Sequence, residues 1–188
     1  MVSKINTTHV GSLPRSKQLS ELLFSKDRQE TFDQKEFREV VKKNVNEVVK
    51  KQLDIGIDYI SDGEMSKISY ATYVKDRISG FSGESERRPP ADLEDFPEYM
   101  TKIAKSGGTP SYTRPCCTSD LEVKDTESLE DDVKNLNEAL TSNNHSSAFM
   151  NAASPGVINV FMPNKFYQND DEYLNCLLYT SPSPRDTI

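Results

Sequence analysis

The sequence predicts an α/β fold built around a parallel sheet. Four strand candidates alternate with helical patterns, and no short turn of the kind that joins hairpin strands separates them. These candidates are residues 6–10, 57–60, 114–123 and 149–160. The first two end in polar turns that contain glycine, and in parallel α/β folds such turns meet at one face of the sheet. We therefore expect a functional site where these turns converge.

The first strand-and-helix unit has well-marked boundaries. Residues 6–10 run into the turn that contains Gly11 and Ser12, and Ser16 can cap a helix that extends to about Phe24. A second helix is predicted from Asp33, an N-cap with Glu36 three residues later. One face of this helix is apolar and Gly56 marks its end. The apolar positions are Phe37, Val40, Val41, Val45, Val48, Val49 and Leu53.

The second strand candidate ends abruptly in Asp62-Gly63-Glu64. Two carboxylates around a glycine at the end of a buried strand are typical of a functional turn in an α/β fold. A solvated turn accounts for the same residues, because Asp and Gly are ordinary turn formers. Both interpretations stay open at this point. The chain continues with a predicted helical segment at 65–81, a polar loop at 80–95, a short helix at 96–105 closed by Gly107-Gly108, a helix at 128–140 and another opening near Tyr173.

Composition narrows the class of protein. A chain of 188 residues is long enough for one domain with a real core. Its net charge of −7 argues against binding to nucleic acid or to an anionic membrane. No apolar run approaches the length of a membrane-spanning helix, and the first residues lack the apolar core of a signal peptide. We expect a cytoplasmic protein.

The last residues differ in character from the rest. Residues 176–186 read CLLYTSPSPRD, which resembles a translated sequencing adapter, and the Ser-Pro repeats would end any helix. We therefore expect an authentic domain at 1–175 and an artefactual tail at 176–188. Of the remaining cysteines, Cys116 and Cys117 are adjacent, too close to bridge each other at the usual Cα separation of about 4.4–6.8 Å. Buried, reduced thiols are expected.

Three motifs carry a family resemblance. TTHVGSLPR (Thr7–Arg15), GIDYISDGEMSKISYATYVKDRISGF (Gly56–Phe81) and SPGVINVF (Ser154–Phe161) resemble the cobalamin-independent methionine synthase family, in particular short single-barrel members related to its C-terminal catalytic domain. The resemblance implies a (β/α)8 TIM barrel, which typically needs about 250 residues. The chain would then be the N-terminal half, truncated to about the first four β/α units.

The resemblance also implies a substrate site. Val10, Gly11 and Ser12 stand where the family binds the amino-acid end of homocysteine, and Ser12 offers a hydroxyl and an N–H to a carboxylate. Glu64 stands where the family places the carboxylate that holds the substrate ammonium. His9 and Asp62 are candidate pocket-lining residues. For His9 a polar pocket or strand-end role is favoured over metal ligation.

The activity implied is a zinc-dependent transfer of the methyl group of 5-methyltetrahydrofolate, as its polyglutamate, to homocysteine to give methionine. In the family a His, two Cys and a Glu from later strands hold the zinc. No such spacing occurs here, and His145 is expected to be a solvated loop residue. We therefore expect no catalytic residue, no metal ligand and no bound zinc in this chain, which would be inactive alone.

The chain also departs from the family pattern. Met65-Ser66-Lys67 follows Gly63-Glu64, where the family has a Pro-Glu-Arg-Asn type of sequence. Leu13 and Arg15 stand where many synthases have Phe and Gln. The thiol substrate therefore stays open. The alternatives are another thiol alkyltransferase of the same fold, similar to epoxyalkane coenzyme M transferase, a lyase similar to uroporphyrinogen decarboxylase, and a non-catalytic barrel that binds a small molecule.

Overall fold

The computed structural model describes residues 4–85, 91–105 and 112–180. These residues form a mixed α/β structure. Its helices are α1 (Lys17–Asp27), α2 (Gln34–Asp54), α3 (Pro97–Lys105), α4 (Glu127–Ser142), α5 (Pro155–Phe161) and α6 (Asp170–Thr180), with 3₁₀ turns at Thr72–Asp76 and Ala91–Leu93. Its strands are β1 (Phe81–Ser82) and β2 (Cys116–Cys117). None of the described helices combines the length and the hydropathy needed to cross a bilayer.

Three chain segments form a short parallel arrangement. Thr8 pairs with Tyr59, and Ile60 pairs with Ala148, both in parallel. The Ile60 N–H donates to Ser147 O at 3.0 Å, and the Phe149 N–H returns a bond to Ile60 O at 3.0 Å. The first two strand candidates therefore lie side by side as predicted. The described residues contain fewer and shorter strands than a complete series of β/α units would have.

The third strand candidate, residues 114–123, does not join this parallel arrangement. Its central part is β2, which pairs antiparallel with β1, and Val123 pairs antiparallel with Ile78. The parallel placement expected for this candidate is therefore wrong. The two strands are separated by more than thirty residues, and sequence signals for hairpins detect only tight turns.

The second half of the fourth strand candidate, residues 149–160, is a helix. Ala148 supplies the parallel bridge just before it, and α5 begins at Pro155. The Ser154 hydroxyl accepts a bond from the Val157 N–H at 3.3 Å, and Pro155 occupies the first turn, where its missing N–H costs nothing. Ser154 and Pro155 therefore start a helix here, although the branched residues that follow them favour a strand.

The helical segment predicted at 65–81 is reduced to the 3₁₀ turn Thr72–Asp76. The Ser69 hydroxyl accepts from the N–H groups of Ala71 and Thr72, which offers the backbone an alternative to an α-helix. The predicted loop at 80–95 contains β1 and the turn Ala91–Leu93. Its residues 86–90 and the predicted Gly107-Gly108 stop lie outside the described residues.

The other helix predictions are confirmed. The Asp33 carboxylate accepts from the N–H groups of Lys35 and Glu36, which fixes the start of α2. Gly56 adopts a φ of +83°, and the Ile57 N–H reaches Gln52 O at 3.0 Å. These bonds form a Schellman motif, in which glycine is favoured because its φ is positive.

The buried apolar side chains form two clusters. Cluster one joins α1, α2 and α4 to the second parallel segment, and cluster two joins the Thr72–Asp76 turn, β2, α5 and α6. Cluster one contains Leu19, Leu23, Phe37, Val40, Val41, Val45, Val48, Val49, Ile60, Met65, Leu136, Ala139 and Leu140. Cluster two contains Tyr73, Val74, Ile78, Cys117, Leu121, Ile158, Met162, Tyr173 and Leu177.

Helix α6 crosses the boundary predicted at residue 175. It starts at Asp170, as the acidic residues before Tyr173 indicate, and continues to Thr180. Leu177, beyond that boundary, is fully buried in cluster two. Residues 181–188 lie outside the described residues, and the assignment of 176–188 to an artefactual tail stays a prediction.

Candidate functional site

A cavity of about 350 Å³ lies beyond the ends of the first two parallel segments. All four predicted substrate-binding residues line it: Val10, Gly11, Ser12 and Glu64. The rest of the wall comes from Lys67, Tyr70, Tyr73, Asn151, Ala152, Ala153, Ser154 and Val157. Of these, Lys67 belongs to the segment that departs from the family pattern. Asn151 follows the third parallel segment, and a polar residue at the end of that strand is the signal that could have revealed it.

The Asp62-Gly63-Glu64 turn is held in an unusual backbone conformation. Gly63 has a φ of +62°, and Glu64 has a φ of +55°, a left-handed value that is uncommon for a residue with a side chain. The Asp62 carboxylate accepts from the Glu64 N–H at 3.1 Å. The Leu13 N–H donates to Gly63 O at 3.0 Å. The turn is therefore fixed to the loop after the first parallel segment.

Arg15 donates hydrogen bonds to the backbone that follows Gly63. Its Nη2 donates to the carbonyl oxygens of Glu64 at 2.9 Å and Lys67 at 2.7 Å. Burial lowers the pKa of Arg15, opposed by the nearby charges of Glu64 and Asp62. The guanidinium thus orders the backbone that carries Glu64 and Lys67, and contributes to both their positions.

The Glu64 carboxylate is buried, with only 3% of the residue exposed. The Ser12 hydroxyl donates to its Oε2 at 2.6 Å, and Asn151 Nδ2 donates to its Oε1 at 3.4 Å. Within residues 4–85, 91–105 and 112–180, no cationic nitrogen forms a salt bridge with it. A buried carboxylate held only by neutral donors is an arrangement that favours a cationic ligand group.

Asp62 and Lys67 form a second buried charge pair beside the cavity. Each residue is 3% exposed, and Lys67 Nζ lies 3.9 Å from Asp62 Oδ2. Burial raises the pKa of Asp62, and the positive charge of Lys67 opposes that shift. Lys67 lines the cavity, whereas Asp62 is not part of its wall.

The two histidines lie apart from this cavity. His9 is half-buried and does not line it, and within the described structure its Nε2 is buried without a hydrogen-bond partner. His145 lies in a loop, as the sequence predicted, but it is half-buried and not fully solvated. Its Nε2 lies 3.0 Å from Ser147 O and 3.2 Å from Asp58 O, because the loop before the third parallel segment packs against the second.

The described residues do not fit a zinc ion. They contain no group of three or more His, Cys, Asp or Glu side chains arranged to hold a metal. Cys116 and Cys117 are buried, and burial raises the pKa of Cys117 to about 11. A cysteine binds zinc as its thiolate, and the burial of Cys117 disfavours that form. We therefore derive no chemical step through zinc from these residues.

A second, larger cavity of about 520 Å³ lies between the first turns of α2 and α4. Lys67 and Tyr73 line both cavities and separate them. Charged groups in its wall largely satisfy one another: Lys26 meets Asp76 at 3.3 Å, and Arg77 meets Asp132 at 2.5 Å. The smaller cavity is the better candidate for a ligand site, because its Glu64 carboxylate forms no salt bridge with the described residues.

Comparisons with known proteins agree with the motifs. Residues 5–88 match the family described as cobalamin-independent synthase, catalytic domain. This segment includes the loop of Val10 to Ser12 and the Asp62–Glu64 turn, and it covers somewhat less than half of the chain. No curated protein sequence matches the chain significantly.

Solved structures show the same fold. A B12-independent methionine synthase from Shewanella sp. W3-18-1, solved in complex with selenomethionine, superposes with a TM-score of 0.61 at 17% identity, covering 91% of this chain and 44% of that one. A protein from Listeria monocytogenes described as a vitamin-B12-independent methionine synthase superposes with a TM-score of 0.58 at 15% identity, covering 95% of this chain and 47% of that one. The chain thus spans less than half of the length of these structures. The resemblance predicted from the motifs is confirmed: residues 5–88 match the cobalamin-independent synthase catalytic domain, and the described chain shares its fold with part of the B12-independent methionine synthases.

Proposed function

We propose that this chain supplies the amino-acid-binding half of a cytoplasmic methyltransferase that transfers a methyl group from 5-methyltetrahydrofolate, as its polyglutamate, to homocysteine. The chain would be the N-terminal half of a (β/α)8 barrel, comprising residues 1–175. The observation that carries the proposal is the buried Glu64 carboxylate. Glu64 lies in the family-matched segment and lines the 350 Å³ cavity, and its carboxylate has only neutral hydrogen-bond donors among the described residues.

In this proposal Glu64 holds the ammonium group of the amino acid. A desolvated carboxylate and an ammonium form a charge-assisted, oriented contact, which is stronger than a neutral hydrogen bond. Ser12 orients Glu64 through its hydroxyl, while Val10 and Gly11 form the adjacent wall. Tyr70, Tyr73 and Val157 supply apolar surface for a thiol or thioether side chain. These residues bind and orient the substrate and do not activate its sulfur.

The proposed methyl transfer requires groups that the described residues do not supply. A zinc ion held by residues outside the described ones would lower the pKa of the substrate thiol. The chain alone is therefore proposed to be inactive, and its measurable property is ligand binding. The selenomethionine complex of the Shewanella synthase makes L-methionine a suitable probe.

The test is calorimetric titration of the 188-residue chain with L-methionine and with 4-(methylsulfanyl)butanoic acid, which lacks the ammonium. Glu64→Gln should weaken L-methionine binding by about 2–4 kcal/mol, the usual cost of breaking a desolvated charge pair. Binding of the acid should change little. The matched control is Glu47→Gln, at an exposed carboxylate on α2. Equal losses for both ligands would contradict the ammonium role of Glu64.

A further inference from the structure

The ammonium group of Lys67 is buried and incompletely hydrogen-bonded. Its Nζ donates to Asn151 O at 2.9 Å, whereas Asp62 Oδ2 lies 3.9 Å away, beyond hydrogen-bond distance. A lysine ammonium has three protons to donate. Among the described residues only one conventional acceptor is in reach, although the residue is 3% exposed. The Tyr73 ring, 5.2 Å from Nζ, provides a further but weaker contact.

Ser12 cannot serve a ligand carboxylate through its hydroxyl in this arrangement. A serine hydroxyl has a single proton, and Ser12 directs it to Glu64 Oε2 at 2.6 Å. Towards a ligand, the Ser12 oxygen is therefore an acceptor, which suits an ammonium and repels a carboxylate. A bound carboxylate therefore needs a donor other than this hydroxyl, and a cationic group is the strongest kind.

Asn151 connects the two opposite charges of the cavity. Its carbonyl oxygen accepts from Lys67 Nζ, and its side-chain amide donates to Glu64 Oε1 at 3.4 Å. One anion and one cation are thereby held beside the same residue in the wall of one cavity. This arrangement is complementary to a ligand that carries both charges on neighbouring groups.

We propose that Lys67 binds the α-carboxylate of the ligand whose ammonium Glu64 holds, so that the cavity selects zwitterionic α-amino acids over simple amines. This inference rests on the proposed function and adds a specificity-determining residue to it. Lys67 lies in the Met65-Ser66-Lys67 segment where the chain departs from the related synthases. The departure therefore has a direct role in ligand selection.

The experiment compares three thioethers on the full chain: L-methionine, 4-(methylsulfanyl)butanoic acid and 3-(methylsulfanyl)propylamine, which lacks the carboxylate. Lys67→Met should weaken binding of both carboxylate ligands about tenfold or more, as for a lost charge-assisted hydrogen bond. Binding of the amine should change less than about twofold. Lys17→Met, at an exposed lysine of α1, is the matched control.

The possible outcomes distinguish a failure of this inference from a failure of the proposed function on which it rests. If wild-type protein binds L-methionine but Lys67→Met weakens all three ligands equally, or none, the carboxylate role is wrong and the ammonium site stands. If wild-type protein binds none of the three ligands, the proposed site and this inference are both overturned.

Folding of the variant needs its own control, because Lys67→Met leaves Asp62 buried without a cation. Asp62→Asn combined with Lys67→Met removes both charges and should restore the helical circular dichroism if Lys67→Met loses it. The double variant should still show the carboxylate-specific loss. Lys67→Arg keeps a cation and should retain most of the preference for L-methionine over the amine. A double variant that binds carboxylates like wild type would overturn the inference.

Discussion

At the scale of single residues, the site depends on two backbone conformations that most side chains avoid. Gly63 and Glu64 are both left-handed. Leu13 and Arg15 donate hydrogen bonds to their carbonyl oxygens, and the Asp62 carboxylate accepts one from the Glu64 N–H. Strain of this kind is retained where surrounding contacts determine the conformation, and it is common at binding sites.

Gly63→Ala should lower the free energy of unfolding by about 2 kcal/mol or more, because strain and a close contact add. A Cβ at Gly63 would lie 3.0 Å from Leu13 Cβ, in a backbone with φ +62°. Gly83 has a similar φ of +68° but open space around it, so Gly83→Ala should cost only about 1 kcal/mol. Urea denaturation measures both, and equal costs would show that the contact with Leu13 relaxes freely.

Cys117 should resist alkylation in the folded protein. Its pKa is raised to about 11, chiefly by burial, so at pH 8 its thiol is almost entirely protonated, and only the thiolate reacts. Cys176 is half-buried and should react first with iodoacetamide. Mass spectrometry of the native protein should find label at Cys176, and label at all three cysteines after denaturation. Early labelling of Cys117 would contradict the buried position of β2.

At the scale of elements, α2 and α4 form the main helical layer, and their starts are capped differently. Asp33 caps α2 directly. In α4 the N-cap residue, Thr126, makes no capping bond, and Asp125 instead accepts from the Glu127 N–H at 2.8 Å. Side chains on the two helices also meet across the layer, as Lys42 does with Glu138 at 2.6 Å.

Asp33→Ala should therefore destabilise the protein by about 1 kcal/mol, the usual cost of losing an N-cap side chain. Thr126→Ala is the matched control, because it alters an N-cap position that has no capping bond, and it should change stability by less than about 0.5 kcal/mol. Thermal denaturation followed at 222 nm compares the two. A larger loss for Thr126→Ala than for Asp33→Ala would contradict the assigned caps.

At the scale of the whole molecule, several large apolar side chains are exposed among the described residues. The chain superposes on less than half of each related structure, and a half barrel leaves sheet edges without partners. The exposed apolar residues include Ile5, Val10, Ile55, Tyr59, Tyr70, Val160, Phe166, Leu178 and Tyr179.

The isolated chain should therefore self-associate as its concentration rises. Sedimentation velocity over a hundredfold dilution series should show a coefficient that increases with concentration, and only dilute samples should be monomeric. Thermal unfolding of such samples should be broad. A monomer at all concentrations with a sharp two-state transition would count against the half-barrel interpretation.

The isolated chain should also bind no stoichiometric zinc. The described residues offer no three-ligand cluster, both Cys116 and Cys117 are buried, and burial raises the pKa of the Cys117 thiol to about 11. Metal analysis after a chelator wash is the measurement. One tightly held zinc per chain would show that the family's metal site is replaced by another set of ligands.

The sequence was most informative where local chemistry determines structure. Asp33, Gly56 and the apolar positions of α2 predicted that helix closely, and the two polar strand ends predicted which loops meet at the cavity. The pairing of β1 with β2 was missed because it joins distant segments without a tight turn. Helix α5 was missed because its branched residues favour strands, while Ser154 and Pro155 decide the outcome. Asn151 was missed as a site residue because it meets Glu64 across 87 residues of chain, from a strand candidate that was expected to continue past it. Lys67 was missed because its segment was interpreted only as a departure from the family pattern.

The position of the cavity has a consequence for the cooperativity of unfolding. One wall includes Ser12, whose neighbour Leu13 packs against cluster one. Another wall includes Tyr73 of cluster two and Ala153, which packs against that cluster. Two separate apolar clusters can open as separate units, each with its own free energy. A ligand that contacts both walls binds only when both units are closed, so it stabilises them by the same amount through mass action. Amide hydrogen exchange in saturating L-methionine should therefore slow α2 and α6 together, although neither helix touches the ligand.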